Sequence, residues 1–110
     1  MKKNIFIGKW RITEMEQWDP EYVDEDEEGY IEFCKDNQGD FHFGYVSGSM
    51  DCEIETVEGK PRIEFSWVGT DEMDEACGRG WARIEKDGTL YGKLAFHMGE
   101  RSWFKAKRMK

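Results

Sequence analysis

Eight short segments of this chain alternate apolar and polar residues with a period of two, and that repeat points to an antiparallel sheet. Trp10 and Ile12 alternate with Lys9, Arg11 and Thr13. Ile31 and Phe33 flank Glu32. Phe41, Phe43 and Tyr45 alternate with His42 and Gly44, and Met50, Cys52 and Ile54 with Asp51, Glu53 and Glu55. The pattern repeats in Ile63, Phe65 and Trp67, in Gly80, Ala82 and Ile84, and in Leu90, Gly92, Leu94 and Phe96. Phe104 and Ala106 close the series. Each segment has the length of a strand and one apolar face.

The turns can be tested against this parity, because residues opposite each other on paired strands point to the same face. A two-residue Glu58-Gly59 turn sets Ile54 opposite Ile63 and Cys52 opposite Phe65, with Glu55 opposite Arg62 outside. A three-residue Lys86-Asp87-Gly88 loop, with Gly88 left-handed, sets Ile84 opposite Leu90 and Ala82 opposite Gly92. "KDNQGD" joins Phe33 to Phe41 through a slightly longer turn containing Gly39.

Loop lengths then alternate. Strands 2–3, 4–5 and 6–7 are joined by tight glycine turns. Strands 1–2, 3–4, 5–6 and 7–8 are joined by "EQWDPEYVDEDEEG", "SGS", "VGTDEMDEACG" and "HMGERS". In an up-and-down arrangement the first set forms a closed end and the second a mouth. Eight antiparallel strands can close into a barrel and lose both edges. Its interior then suits packed side chains or one small ligand. The same alternation is compatible with a two-sheet sandwich. At 110 residues the expectation is one all-β domain over 1–110.

Gly8-Lys9-Trp10, at the start of the first strand, gains meaning in this frame. A Gly-x-Trp there resembles the calycins, the superfamily of lipocalins, fatty-acid-binding proteins and avidins. The resemblance implies that Trp10 lies at the closed end, with a basic residue from the last strand across its ring. Phe104, Ala106 and Arg108 share a face by parity, and the eighth strand runs towards the closed end. Arg108 is therefore the expected cation–π partner of Trp10. Gly8, Trp10 and Arg108 become structural residues of an eight-stranded up-and-down antiparallel barrel, with a short helical lid between strands 1 and 2. The chain is shorter than most lipocalins and lacks their disulfides and a helix after the last strand. It also resembles small bacterial proteins of unassigned function.

Charge bounds the partners. The chain has 24 Asp and Glu against 16 Lys and Arg, a formal net charge of −8. Binding a phosphate backbone needs clustered cations, so no nucleic acid is expected; solubility or cationic partners fit the balance. The basic start "MKKNIFIGKW" has too short an apolar run for a signal peptide, and no stretch suits a bilayer, so no membrane partner is expected. Cys34, Cys52 and Cys77 are odd in number and lack CxxC spacing, which argues against a disulfide framework and for the cytoplasm.

No catalytic, cofactor or metal set converges in the sequence. "WDPEY" predicts a helix with Asp19 as N-cap and Pro20 in its first turn; Trp18 and Tyr22 then plug the mouth or act as a lid. "DEDEEG", from Asp24 to Gly29, resembles half of a calcium loop, but Lys35 stands where a bidentate Glu is required, so a solvated acidic loop is expected. His42 and His97 point outward with no nucleophile partner evident. Asp74 and Glu75 near Cys77 disfavour its thiolate.

Glu14 shares the inward parity of Trp10 and Ile12. Its layer contains Ile31, Tyr45, Met50, Trp67, Gly80, Phe96 and Phe104. A buried carboxylate needs a partner, and Arg79 is the internal candidate; the preferred alternative is a bend that releases Glu14 to water. The expectation is a non-catalytic binding module, not an enzyme, with a small apolar or cationic ligand at the mouth. Its candidate ligand residues are Glu14, Trp18, Tyr22, Tyr45, Met50, Trp67, Arg79, Phe96 and Phe104. The alternative is a protein-interaction module with a filled barrel. It would use the acidic mouth loops or the outer patch of Trp81, Tyr91 and Trp103, with a protein partner or a second copy docked there. The basic stems of Arg83, Lys93 and Lys105 can equally cover those aromatics.

Overall fold

The computed structural model describes residues 4–109. Its strands are β1 (Gly8–Met15), β2 (Tyr30–Phe33), β3 (Gln38–Phe43), β4 (Val46–Val57), β5 (Lys60–Asp71), β6 (Asp74–Ile84), β7 (Leu90–Phe96) and β8 (Arg101–Arg108). One short helix, α1 (Pro20–Val23), separates β1 from β2. Each strand pairs antiparallel with the next, and β1 pairs with β8, so the sheet closes into an up-and-down barrel. No helix among the described residues is long and apolar enough to cross a membrane.

All three expected hairpins form, two of them in the expected register; the β2–β3 turn is shorter than expected, because Gln38, Gly39 and Asp40 belong to β3 and Gly39 pairs with Phe33. Ile54 faces Ile63, Cys52 faces Phe65 and Glu55 faces Arg62. Ile84 faces Leu90, Ala82 faces Gly92, and Ile31 faces Phe41. Glu58 and Gly59 both take positive φ, as a two-residue hairpin turn requires, and Gly88 is left-handed at +88°.

Three local departures change which residues face inward. First, β1 carries a bulge: Ile12 faces Ala106, Glu14 faces Lys105 and Met15 faces Phe104. The extra residue leaves Thr13 and Glu14 both outside and turns Met15 into the core. Glu14 is thus exposed, which corrects its place in the inner layer and fits the alternative of release to water.

Second, β3 and β4 are joined by a two-residue turn, Gly44-Tyr45, and not by "SGS". Phe43 and Val46 face each other inside, so Tyr45 sits on the turn and is 41% exposed. Gly44 has φ +56°, and a Cβ there would collide with the ring of Tyr22. Third, β5 and β6 turn through Glu72-Met73, both at positive φ. Most of "VGTDEMDEACG" is therefore strand. Arg79, opposite Ser66 and Ala95, stands on the outer face and is no partner for an inward carboxylate.

Candidate functional site

The closed end is sealed as a unit. Trp10 is fully buried, and its Nε1 donates to the Phe6 carbonyl at 3.0 Å. The Arg108 guanidinium lies 4.1 Å from the Trp10 ring centroid and donates to the carbonyls of Ile7 and Ile5, each at 2.9 Å. Gly8 has φ +134°, and a Cβ there would stand 2.8 Å from Arg108 Nη1. The small residue of Gly-x-Trp therefore makes room for the cation. Phe6 packs on Phe33 and Phe33 on Phe65, with centroids 6.2 and 6.3 Å apart.

The mouth is closed by the loop before β2. Asp19 caps α1 by accepting from the Tyr22 amide, and Pro20 opens the helix. The Gly44 amide donates to the Val23 carbonyl at 2.9 Å, which ties the helix to the β3–β4 turn. Trp18 stacks obliquely on Phe43 at 4.9 Å and on Phe96 at 5.9 Å. Below it, Trp67 makes edge-to-face contacts with Phe41 and Phe96, both at 5.1 Å, and donates to the Ala95 carbonyl. Gly48 leaves space for the rings of Phe41 and Trp67.

Of the sequence-based candidates, Trp18, Met50, Trp67, Phe96 and Phe104 come together here as packing, with Tyr22 at the rim against Tyr45. Glu14, Tyr45 and Arg79 do not join them. Ile12, Met15, Phe104 and their neighbours leave an apolar void of about 10 Å³. That is at the lower limit for a single water, and the apolar lining offers no polar partner to hold one.

The acidic loop is tied to the barrel wall. Asp24 accepts from the Gly29 amide at 2.8 Å and from Arg11 at 3.0 Å, and Glu28 lies 3.4 Å from Arg11. Asp26 lies 3.1 Å from His42 Nε2, while His42 Nδ1 is 2.8 Å from Ser47 Oγ. The sequence reading missed this serine because the partner of His42 emerges only from the β3–β4 register. The set contains the residue types of a hydrolytic triad, but not its surroundings. Ser47 sits within a β-ladder, with strands paired on both sides. That ladder engages the backbone around it, whereas an oxyanion hole is built from N–H groups left free to point at the reacting oxygen.

The cysteines are free thiols. Burial pushes the Cys52 thiol up to about 11, with Asp51 adding to the effect. Burial likewise raises Cys34. Tyr30 is also held protonated, first by burial and then by its hydrogen bond to Asp40.

The large recess is on the outside. A groove of about 690 Å³ crosses the outer face from β4 to β8. Register builds it. One row across the sheet reads Asp51, Ser66, Arg79, Ala95, Arg101, and the next reads Glu53, Glu64, Trp81, Lys93, Trp103. Acids therefore collect on the β4 side and cations on the β6–β8 side. Trp81, Tyr91 and Trp103 form a half-buried strip, with centroids 6.0 and 6.4 Å apart. Arg62 and Arg83 lie over Trp81, Arg83 also over Tyr91, and Lys105 over Trp103. The aromatics are thus covered by basic stems.

Arg62 and Arg83 are paired with Glu64 and Glu85. Among the described residues, Arg79, Lys93 and Arg101 have no carboxylate within 4.0 Å. The expected aromatic patch was legible from parity, but this cation cluster was missed. Its signal was present: outward positions from Arg79 to Arg83, Tyr91 to Ala95 and Arg101 to Lys107 contain no acid.

No family model matches the chain, and it matches no curated protein and no solved structure.

Proposed function

We propose that the protein is a non-catalytic interaction module that offers the outer face of β4–β8 to a protein partner. One observation carries this reading: the interior retains a void of about 10 Å³ while a groove of about 690 Å³ lies outside. A recess of that size suits a ligand or an inserted segment. Trp81, Arg79 and Arg101 line it, and Trp and Arg are among the residue types that dominate interface energetics. We also read Gly8, Trp10 and Arg108 as a calycin signature, so that the chain is a calycin-like barrel whose binding role has moved from cavity to wall. The free thiols fit a reducing compartment, the cytoplasm.

Site-specific photo-crosslinking in the protein's own cells tests the interaction reading. A crosslinker at Ser66, inside the groove, is compared with one at Thr13, on the outer face of β1. The expected result is a crosslinked protein of discrete mass from Ser66, absent from Thr13 and lost when Lys93→Glu is added. Equal crosslinking from both positions, or none from Ser66, overturns it.

A further inference from the structure

We propose that the groove receives a short acidic segment of the partner, whose carboxylates are taken up by Arg79, Lys93 and Arg101. This rests on the reading of the outer face as the interaction surface. The three cations surround Ala95. Arg79 and Arg101 flank it on the adjacent strands, and Lys93 stands two residues along β7. At the spacing of paired strands, the Cα atoms of Arg79 and Arg101 are about 10 Å apart. Between them the Ala95 methyl leaves a hollow in which a carboxylate can meet a guanidinium in the two-point geometry that arginine favours.

The chain's own charges argue in the same direction. Its formal net charge is −8, yet none of these three groups has a described carboxylate within 4.0 Å. Asp51, Glu53 and Glu64 instead form the opposite wall of the groove. From β4 to β7 is about 15 Å at the ordinary strand spacing, so the attractive region is short and ends against acids. A nucleic-acid strand carries charge at every nucleotide and would run into that wall. A peptide with a few acidic residues, followed by neutral or basic ones, complements both sides.

The probes are fluorescein-labelled peptides with three glutamates followed by two lysines, the same peptide with glutamine for glutamate, and one with lysine for glutamate. Binding is read by anisotropy. The glutamate peptide should bind at least about tenfold more tightly than the other two, as expected when charge-assisted bonds are lost. Its affinity should fall several-fold from about 50 to about 300 mM salt, because the site is open to screening. Combined Arg79→Gln, Lys93→Gln and Arg101→Gln should abolish the preference for glutamate, whereas Lys35→Gln, on the β2–β3 turn, should not. Unchanged melting temperatures exclude misfolding, and Ala95→Glu, which places a carboxylate in the hollow, should block the peptide independently.

Equal binding of the glutamine peptide, or full affinity in the triple variant, overturns the proposal. So does tighter binding of a single-stranded oligonucleotide, or competition by inorganic phosphate at the peptide's own concentration, which would make this a small-anion site. If the glutamate peptide fails while the Ser66 crosslink persists, the acidic class is wrong and the interaction surface stands. If both fail, both readings fall.

Discussion

At the closed end, Trp10 is held by residues that strand register brings to it; at the mouth, Trp18 is delivered by a loop. Trp10 has its ring face covered by Arg108 and its N–H bonded to the Phe6 carbonyl. Trp18 packs its ring on Phe43 and Phe96 and remains partly exposed. Both devices shut the barrel, but they differ in what they need. The first needs the β1–β8 pairing that closes the sheet. The second needs a short capped helix tied to the next turn by the Gly44–Val23 hydrogen bond. A loop element of one helical turn adds less to stability than a strand pairing that closes the sheet, so the mouth is expected to be the less stable of the two ends.

That contrast can be broken at Trp10. Trp10→Ala should cost about 3–5 kcal/mol, the range for large core aromatics, measured by urea unfolding. Trp18→Ala should cost less, about 2–3 kcal/mol, because part of the ring already faces water. It should also create an apolar cavity that takes up benzene, which the native barrel has no room to bind. A Trp18→Ala loss larger than that of Trp10→Ala would reverse the order of the two ends.

Arg108→Ala sharpens the closed end. The loss should be about 1 kcal/mol, the upper end of the scale for a cation–π contact made by an exposed cation. It should shrink when Trp10 is already Ala; additive losses would mean that the two side chains do not act together.

A smaller effect is alkaline. The folded state keeps the Cys52 thiol protonated to about pH 11, whereas in the unfolded chain it ionises near its ordinary value of 9.0. Its contribution is therefore complete below pH 9.0 and is lost as pH rises towards 11. Melting temperature should fall across that interval, and Cys52→Ala should flatten part of the slope. Tyr30, Tyr22 and Cys34, which burial also raises, contribute to the remainder. Smallest of all, Glu14→Gln should change stability by no more than about 0.5 kcal/mol, as for other exposed positions. A larger loss would return that carboxylate to the interior.

The difference between the two ends also explains what could be read from the sequence. The closed end depends on period-two parity and on turns marked by glycine, as at Glu58-Gly59 and Lys86-Asp87-Gly88. Those signals are local, and with the calycin resemblance of Gly8-Lys9-Trp10 they placed Arg108 beside Trp10. The mouth depends on breaks in parity. The bulge at Thr13-Glu14 has no composition that distinguishes it from continuing strand, so Glu14 was carried inward. Tyr45 prolongs the apolar alternation of Phe41 and Phe43, which hides the two-residue turn beneath it. Glu72-Met73 adopts positive φ without a glycine or an asparagine to announce it. The groove is harder still, because its cations come from β6, β7 and β8 and meet only through register.

The central claim is that the barrel is packed inside and binds outside, and methyl NMR tests it most directly. The native protein is titrated with an amphipathic amine and then with the matching carboxylic acid. The methyl groups of Ile12, Met15, Ile31 and Leu94 line the residual void and report on the interior. The account predicts that none of them moves with either compound, since no space exists for an alkyl chain. A saturable shift of these inner methyls would show that the mouth opens and that a ligand enters, and would contradict the account.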